Sequence, residues 1–316
     1  MLIAAETLDD ALLKLYPELL KRTNGVVATR GKNVEIIGVT IEIEKPRARL
    51  SRSETRGRPF SSLGELLWYF TADNRLNFIE PYIPRYKNES NDGVSVYGGY
   101  GPRLFNQRGN NQIDNVISLL RERSESRRAV IQIFNAEDIA TRHTEVPCTG
   151  SLQFLIRDGA VHMVVCMRSN DAYIGLPHDV FCFTMIQEVI ARTLGVELGK
   201  YRHFVVSMHL YDEHREAAQS LIREGYQSRI EMPPMPVADP WTSIQSVLKA
   251  ENKIRNGESV DEILSKLDLY WCDLIRMLQI FFSQNDDHIK AIAGEMSFPR
   301  YRPYIESRLG KVRGGK

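Results

Sequence analysis

Among the side chains that could do chemistry, Cys148 is a candidate nucleophile, although taken alone it reads first as apolar filler. It follows Pro147 immediately ahead of a strand-like run. The thiolate is the nucleophilic form of cysteine, and a nearby cation favours it by lowering the pKa; Arg168 is the first candidate for that cation. An isolated cysteine is ordinarily a small apolar filler, and Cys166, Cys182 and Cys272 lie within apolar patterns that fit the core. Glu65 is the single acid in Ser61–Phe70 (SSLGELLWYF), so its carboxyl is expected to be partly buried, with a raised pKa. Asp179 opens a long apolar helix, a place that suits either an N-cap or a site acid.

The elements that must position these groups are legible from hydrophobic period and turn residues. Residues 1–20 read as one amphipathic helix, with Glu6, Asp9 and Asp10 inside the apolar pattern, and not as a signal peptide. Val34–Ile43 is β-branched and partly alternating, hence a strand; a basic, turn-rich stretch and the helix Ser61–Phe70 follow. Asn88–Gly101 reads as loop, Asn111–Arg121 as helix and Ala129–Phe134 as a short strand. Gly150–Ile156 and Val161–Arg168 are expected to pair across the Arg157–Gly159 turn. Asp179–Leu194 is a buried helix and Arg202–Leu210 a further strand. A Pro-rich link near residue 233 leads to helices at Trp241–Asn256 and Val260–Phe282. The expected architecture is α+β: a main domain over 1–232 with a helical C-terminal extension, 233–316, packed on it.

Bulk composition narrows the function classes. With 41 basic and 40 acidic side chains the net charge is +1, so no global field draws nucleic acid or an anionic membrane, and anions must be met by local arginines. Four cysteines without CxxC spacing argue against a zinc site or a disulfide framework and fit a reducing cytoplasm. No apolar run is long enough to span a bilayer.

Six short motifs occur in one order. They are Gly64-Glu65-Leu66-Leu67-Trp68, Val96-Tyr97-Gly98, Ser126-Arg127-Arg128, Pro147-Cys148, Arg168-Ser169-Asn170-Asp171 with Gly175-Leu176-Pro177, and His209-Leu210-Tyr211 with His214 behind it. In that order, over roughly residues 30 to 215, the chain resembles the thymidylate synthase family; the C-terminal third carries no such resemblance. The resemblance implies a homodimer that binds a pyrimidine nucleotide monophosphate and 5,10-methylenetetrahydrofolate. Cys148 would attack C6 of the ring, turning C5 into a carbon nucleophile. Arg168 and Ser169 would hold the phosphate, with Arg127 and Arg128 donated by the other subunit; guanidinium groups suit that dianion. Arg30, in Thr29-Arg30-Gly31, would close on it, with Arg22 of Arg22-Thr23-Asn24-Gly25 as the competitor. Glu65 would organise water and proton transfer, Tyr97 would assist removal of the C5 proton, and His209 and Tyr211 would bond the sugar hydroxyl. Asp171 and Gly175 would lie against the folate.

Three departures bear on substrate and product. Asp179 stands two residues after Leu176-Pro177, where thymidylate synthases carry the asparagine that reads uracil. Cytosine offers an acceptor at N3 and a donor at its 4-amino group, the reverse of uracil. A carboxyl accepts from the amino group and, when protonated, donates to N3, stabilising charge on the ring as Cys148 attacks. An aspartate here resembles the deoxycytidylate and cytidylate hydroxymethylases. Ile83 replaces the expected tryptophan ahead of Tyr97, and the family's apolar C-terminal latch is not evident. Both changes favour water over hydride as the group that meets the exocyclic methylene, hence a hydroxymethyl product. The expected function is folate-dependent C5 hydroxymethylation of dCMP or CMP, with a slight lean to dCMP from His209 and Tyr211. The alternatives are a thymidylate synthase or dUMP hydroxymethylase, and a non-catalytic nucleotide-binding protein of this fold. His178, where the family often has an aromatic residue, is not accounted for by these motifs.

Overall fold

The β-branched run after residue 30 becomes a long inner strand of a mixed sheet. The computed structural model describes residues 1–23, 25–28, 31–53 and 59–309. In chain order, β1 (Leu2–Ala5), α1 (Leu8–Leu20), β2 (Val26–Ala28) and β3 (Gly31–Ile43) come first. Then follow α2 (Pro59–Phe70), α3 (Leu76–Ile79), α4 (Tyr100–Phe105), α5 (Gln112–Glu122) and β4 (Val130–Gln132). The chemistry-bearing half holds β5 (Thr149–Arg157), β6 (Ala160–Asp171), α6 (Gly175–Leu194), β7 (Glu197–Tyr211) and α7 (Arg215–Glu224). The chain continues through α8 (Pro240–Arg255), α9 (Asp261–Leu264), α10 (Leu269–Phe282), α11 (Asp286–Gly294) and α12 (Arg302–Glu306).

Among the described residues seven strands form one sheet in the order β1-β3-β7-β6-β5-β4, with β2 beside β3. β1/β3 and β6/β7 are parallel and the other pairs antiparallel, as an α+β fold with one mixed sheet requires. The β5–β6 hairpin turns at Asp158 and Gly159, both at positive φ (51° and 73°), the pairing that matches strand twist. Helix α6 is apolar nearly all round and buried along its length, and Gly195 ends it in the left-handed conformation. Helices α1 and α6 cover one face of the sheet, and α8 and α10 join the same hydrophobic core through α2 and α6.

Three strands change, along one line across the sheet, which alternate residues face the helices. On β3 the buried positions pass from Ile36 to Val39, on β7 from Val205 to Met208, and on β6 from Met167 to Asn170. Gly38, at φ 72°, lies on this line. An extra residue in a strand reverses the side on which later side chains emerge. Beyond the line Ser169, Asp171, Ser207, His209 and Tyr211 therefore emerge together, away from the helices.

Several expectations need correction. The first residues are a strand, because Leu2–Ala5 pairs with Thr40–Ile43 and gains sheet hydrogen bonds that a helix start would forgo; α1 begins only after the Thr7 cap. Val260–Phe282 is broken at residues 265–268, where Asp268 caps α10. The stretch read as loop to Gly101 ends in α4, which Tyr100 opens. Cys166 is exposed on the face that the helices leave open, whereas Cys182 and Cys272 are buried. Asp179 does not cap α6, which starts at Gly175 and carries the acid in its second turn. No helix among the described residues is long and apolar enough to cross a membrane.

Candidate active site

The end of β6, the start of α6, α2 and the loop before β5 enclose a cavity of about 900 Å³. That is ample for a nucleotide together with part of a second ligand. Cys148, Arg168, Ser169, Glu65, Asp179 and His209 all line it. So do Asp171, Gly175, Ile83, Tyr211 and His178. Five of the six motifs, spread over the chain, thus share one space; Ser126-Arg127-Arg128 lies outside it.

The nucleophile loop is clamped from β6. The Arg168 amide donates to the Cys148 carbonyl (2.8 Å). Its guanidinium donates from Nε to the Pro147 carbonyl (2.9 Å) and from Nη2 to that of Val146 (3.0 Å). Arg168 thereby fixes where the half-buried Cys148 thiol emerges and brings a fixed positive charge beside its loop. Ser169 Oγ lies 3.3 Å from His209 Nδ1, and the His209 and Tyr211 rings meet edge-on at 5.0 Å. Asp171 accepts from the amides of Tyr173 and Ile174 (3.0 Å each), so its carboxylate also shapes the turn into α6.

Glu65 stands on the wall formed by α2. Its Oε1 accepts from the hydroxyls of Tyr86 (2.6 Å) and Tyr69 (3.2 Å). Burial raises its pKa, against the opposing pull of those hydroxyls. Asp179 lies on the cavity floor, where burial, and then the proximity of Glu65, push its carboxyl well above the usual range. Its Oδ2 accepts from Asn170 Nδ2 at 2.7 Å. A Cβ on Gly175 would sit 2.8 Å from that same nitrogen, so glycine leaves room for the amide to reach the acid. Behind Asn170 lies His203, whose Nε2 is 2.9 Å from Asn170 Oδ1 and whose Nδ1 is 2.7 Å from the Tyr201 hydroxyl. Burial pushes the His203 pKa down to about 3, so the ring is neutral at ordinary pH.

Not every expected residue reaches the cavity. Tyr97 is absent from its lining: the ring stacks on His143 at 3.5 Å, Arg103 lies over it at 5.2 Å, and its hydroxyl turns to Asp138. The buried Arg103–Asp138 ion pair holds the tyrosine on that side. Tyr100, three residues on, lines the cavity instead and places its hydroxyl 2.9 Å from Thr149 Oγ1, next to Cys148. Arg127 and Arg128 are exposed and lie outside the lining of this chain's own cavity. Arg30 falls outside the described residues, and Arg22 is exposed beyond the end of α1. His178 is explained: Nδ1 lies 2.9 Å from the Ile174 carbonyl and Nε2 2.8 Å from Ser61 Oγ, tying α6 to α2.

Sequence reading missed Tyr86, Tyr69, Tyr100, Asn170 and His203. Asn170 sat inside the Arg168–Asp171 motif and Tyr69 four residues after Glu65, one helical turn away. His203 gave no local signal, since it meets Asn170 only across the parallel pair β6/β7.

A sequence model of the family described as thymidylate synthase matches residues 50–266. A deoxyuridylate hydroxymethyltransferase of Pseudomonas phage M6 is 30% identical over 213 residues, covering 66% of this chain and 60% of that protein. One of Bacillus phage SP01 is 31% identical over 250 residues, covering 73% and 65%. A thymidylate synthase of Bacillus subtilis subsp. natto is 30% identical over 162 residues, covering 49% and 58%. The matches thus span about three fifths of the length of these curated relatives.

Proposed function

The chain belongs to the thymidylate synthase family, and on that premise we propose a one-carbon transferase that hydroxymethylates C5 of a cytidine 5′-monophosphate, dCMP or CMP. The observation that carries the cytosine reading is the carboxyl of Asp179, its pKa pushed up by burial and by Glu65, on the floor of the cavity that Cys148 also lines. As a thiolate adds to C6, cytosine accumulates charge at N3, which is unprotonated and can take a whole proton. An amide can offer N3 a hydrogen bond and nothing more; a neutral carboxyl can give up the proton.

The wall beyond Asp179 suits 5,10-methylenetetrahydrofolate: Ile83 and Ile174 are apolar, Tyr86 is aromatic, and Asp171 stands beside them in the same cavity. When bound there, the folate supplies the one-carbon unit. This chain's own residues do the rest. Arg168 holds the nucleophile loop, Asp179 moves a proton at N3, and His209 and Tyr211 face the sugar. Tyr100, beside Cys148, takes the place expected of Tyr97 near C5. Glu65, bonded by two tyrosine hydroxyls through one oxygen, keeps its second oxygen for a water that attacks the exocyclic carbon.

Arg127 and Arg128 fit service to a partner's phosphate, because they are exposed and apart from their own cavity. The open sheet face supports a homodimer: it presents Ile37 and Val206 (65% and 46% exposed) with Cys166, apolar groups that a second copy would cover.

The relatives' names favour a second reading, deoxyuridylate as the substrate. Mass analysis of the products from dCMP, CMP and dUMP with the folate separates the two. The cytosine reading expects a hydroxymethyl product from a cytidylate and little from dUMP. Product from dUMP alone overturns it, and a methyl product overturns the role given to water.

A further inference from the structure

A neutral carboxyl is an ambiguous reader of bases. Its O–H and C=O can exchange places, so it can meet either the acceptor–donor edge of cytosine or the donor–acceptor edge of uracil. We infer that Tyr201 and His203, acting through Asn170, fix which Asp179 oxygen carries the proton and so make an ambiguous carboxyl discriminate. The inference rests on the reading that Asp179 meets the base.

The contacts form a single file: Tyr201 hydroxyl to His203 Nδ1 (2.7 Å), His203 Nε2 to Asn170 Oδ1 (2.9 Å), Asn170 Nδ2 to Asp179 Oδ2 (2.7 Å). Tyr201 and His203 are fully buried, neither lines the cavity, and Asn170 is 4% exposed. Such a file has two possible polarities. In one, Tyr201 donates to Nδ1, Nε2–H donates to the Asn170 oxygen, and the Asn170 amide donates to Asp179 Oδ2. That oxygen is then the carbonyl, and the proton belongs on Oδ1.

In the reverse, Asp179 Oδ2–H donates to a flipped Asn170, whose amide donates to Nε2, and Nδ1–H donates to the tyrosine oxygen. The tyrosine hydroxyl would then need another acceptor, and among the described residues His203 is its one hydrogen-bond partner. A buried donor left without an acceptor is strongly disfavoured, so the first polarity holds. A single hydroxyl in the core thus sets the donor–acceptor order that the cavity floor presents. Tyr201 and His203 are positioning residues.

Tyr201→Phe removes that one oxygen and leaves the ring. Without it the favoured polarity loses its donor to Nδ1, so the gap between the two His203 tautomers narrows, and the ratio of dCMP to dUMP dissociation constants, measured by calorimetry, should move several-fold toward one. A merely structural role would weaken both nucleotides equally and leave the ratio in place, which would overturn the inference. ¹⁵N NMR of His203 in the unaltered protein tests it without any variant: Nε2–H with a bare Nδ1 is expected, and Nδ1–H would overturn it. Tighter wild-type binding of dUMP would remove the cytosine reading alone, because the inference concerns loss of discrimination whichever base is preferred.

Discussion

The cavity holds two carboxyls whose pKa values are both raised by burial, yet the walls around them differ. Glu65 sits between Tyr69 on α2 and Tyr86 in the 3-10 turn Pro84–Glu89, and takes hydroxyl hydrogen bonds on one oxygen. Asp179 sits on α6 against an amide that is itself held by a buried histidine. Hydroxyls can turn and act as both donor and acceptor, so the Glu65 wall can follow a water and pass a proton. An amide wedged between two fixed partners cannot turn, so the Asp179 floor presents one pattern. Burial raises the pKa of both acids; the neighbours separate their tasks. The assignment of acid–base roles therefore rests on donor geometry more than on pKa.

Substitutions at the two acids can break this comparison. The largest effect is expected from Asp179→Asn. The new amide keeps one donor and one acceptor but has no proton to give, so release of tritium from C5 of labelled dCMP should fall about a hundredfold. Nucleotide affinity should stay within a few-fold. A matching loss of affinity would mean that the acid only binds.

Glu65→Gln should fall on a later step. Formation of hydroxymethylated product should drop about tenfold further than tritium release does, because the water loses its base while attack at C6 keeps its own groups. Equal losses in both assays would merge the two roles.

The smallest effect sharpens the comparison through stability. An acid whose folded pKa is raised binds its proton more tightly when folded. Its contribution is therefore full below the unfolded pKa and is lost as pH rises through the folded value. The loss begins near pH 3.8 for Asp179 and near 4.5 for Glu65. Replacement by the amide removes it, so relative to wild type the Tm of Asp179→Asn should gain a few degrees between pH 4 and pH 8. Glu65→Gln should gain less, since Asp179 is the more strongly raised of the two. A pH-independent offset in both variants would mean that neither acid is held protonated.

Much of the fold was legible because its signals are local. The β5–β6 hairpin, α2 and α6 follow from turn residues and hydrophobic period, and the structure has them within a few residues of expectation. The strand at Leu2–Ala5 was not legible, because its partner lies some forty residues away and pairing outweighs local propensity. The cavity brought Cys148, Glu65, Asp179, Arg168 and His209 together as their motifs suggested, but it rejected Tyr97 for Tyr100. The motif Val96-Tyr97-Gly98 pointed to Tyr97 alone; the buried Arg103–Asp138 pair, closed across 35 residues, draws Tyr97 aside.

By itself the sequence determined the chemical inventory: one cysteine ahead of a strand, an acid alone in an apolar helix, an aspartate after Leu176-Pro177, and the order of motifs that marks the family. Only the tertiary structure decided how those groups are tuned. The slip in alternation shared by β3, β6 and β7 aims Ser169 and His209 into one space, and the Tyr201–His203–Asn170 file reaches Asp179 from the core. Such contacts join residues far apart in the chain, and hydrogen-bond polarity depends on every partner in the file, so no local stretch of sequence can carry it.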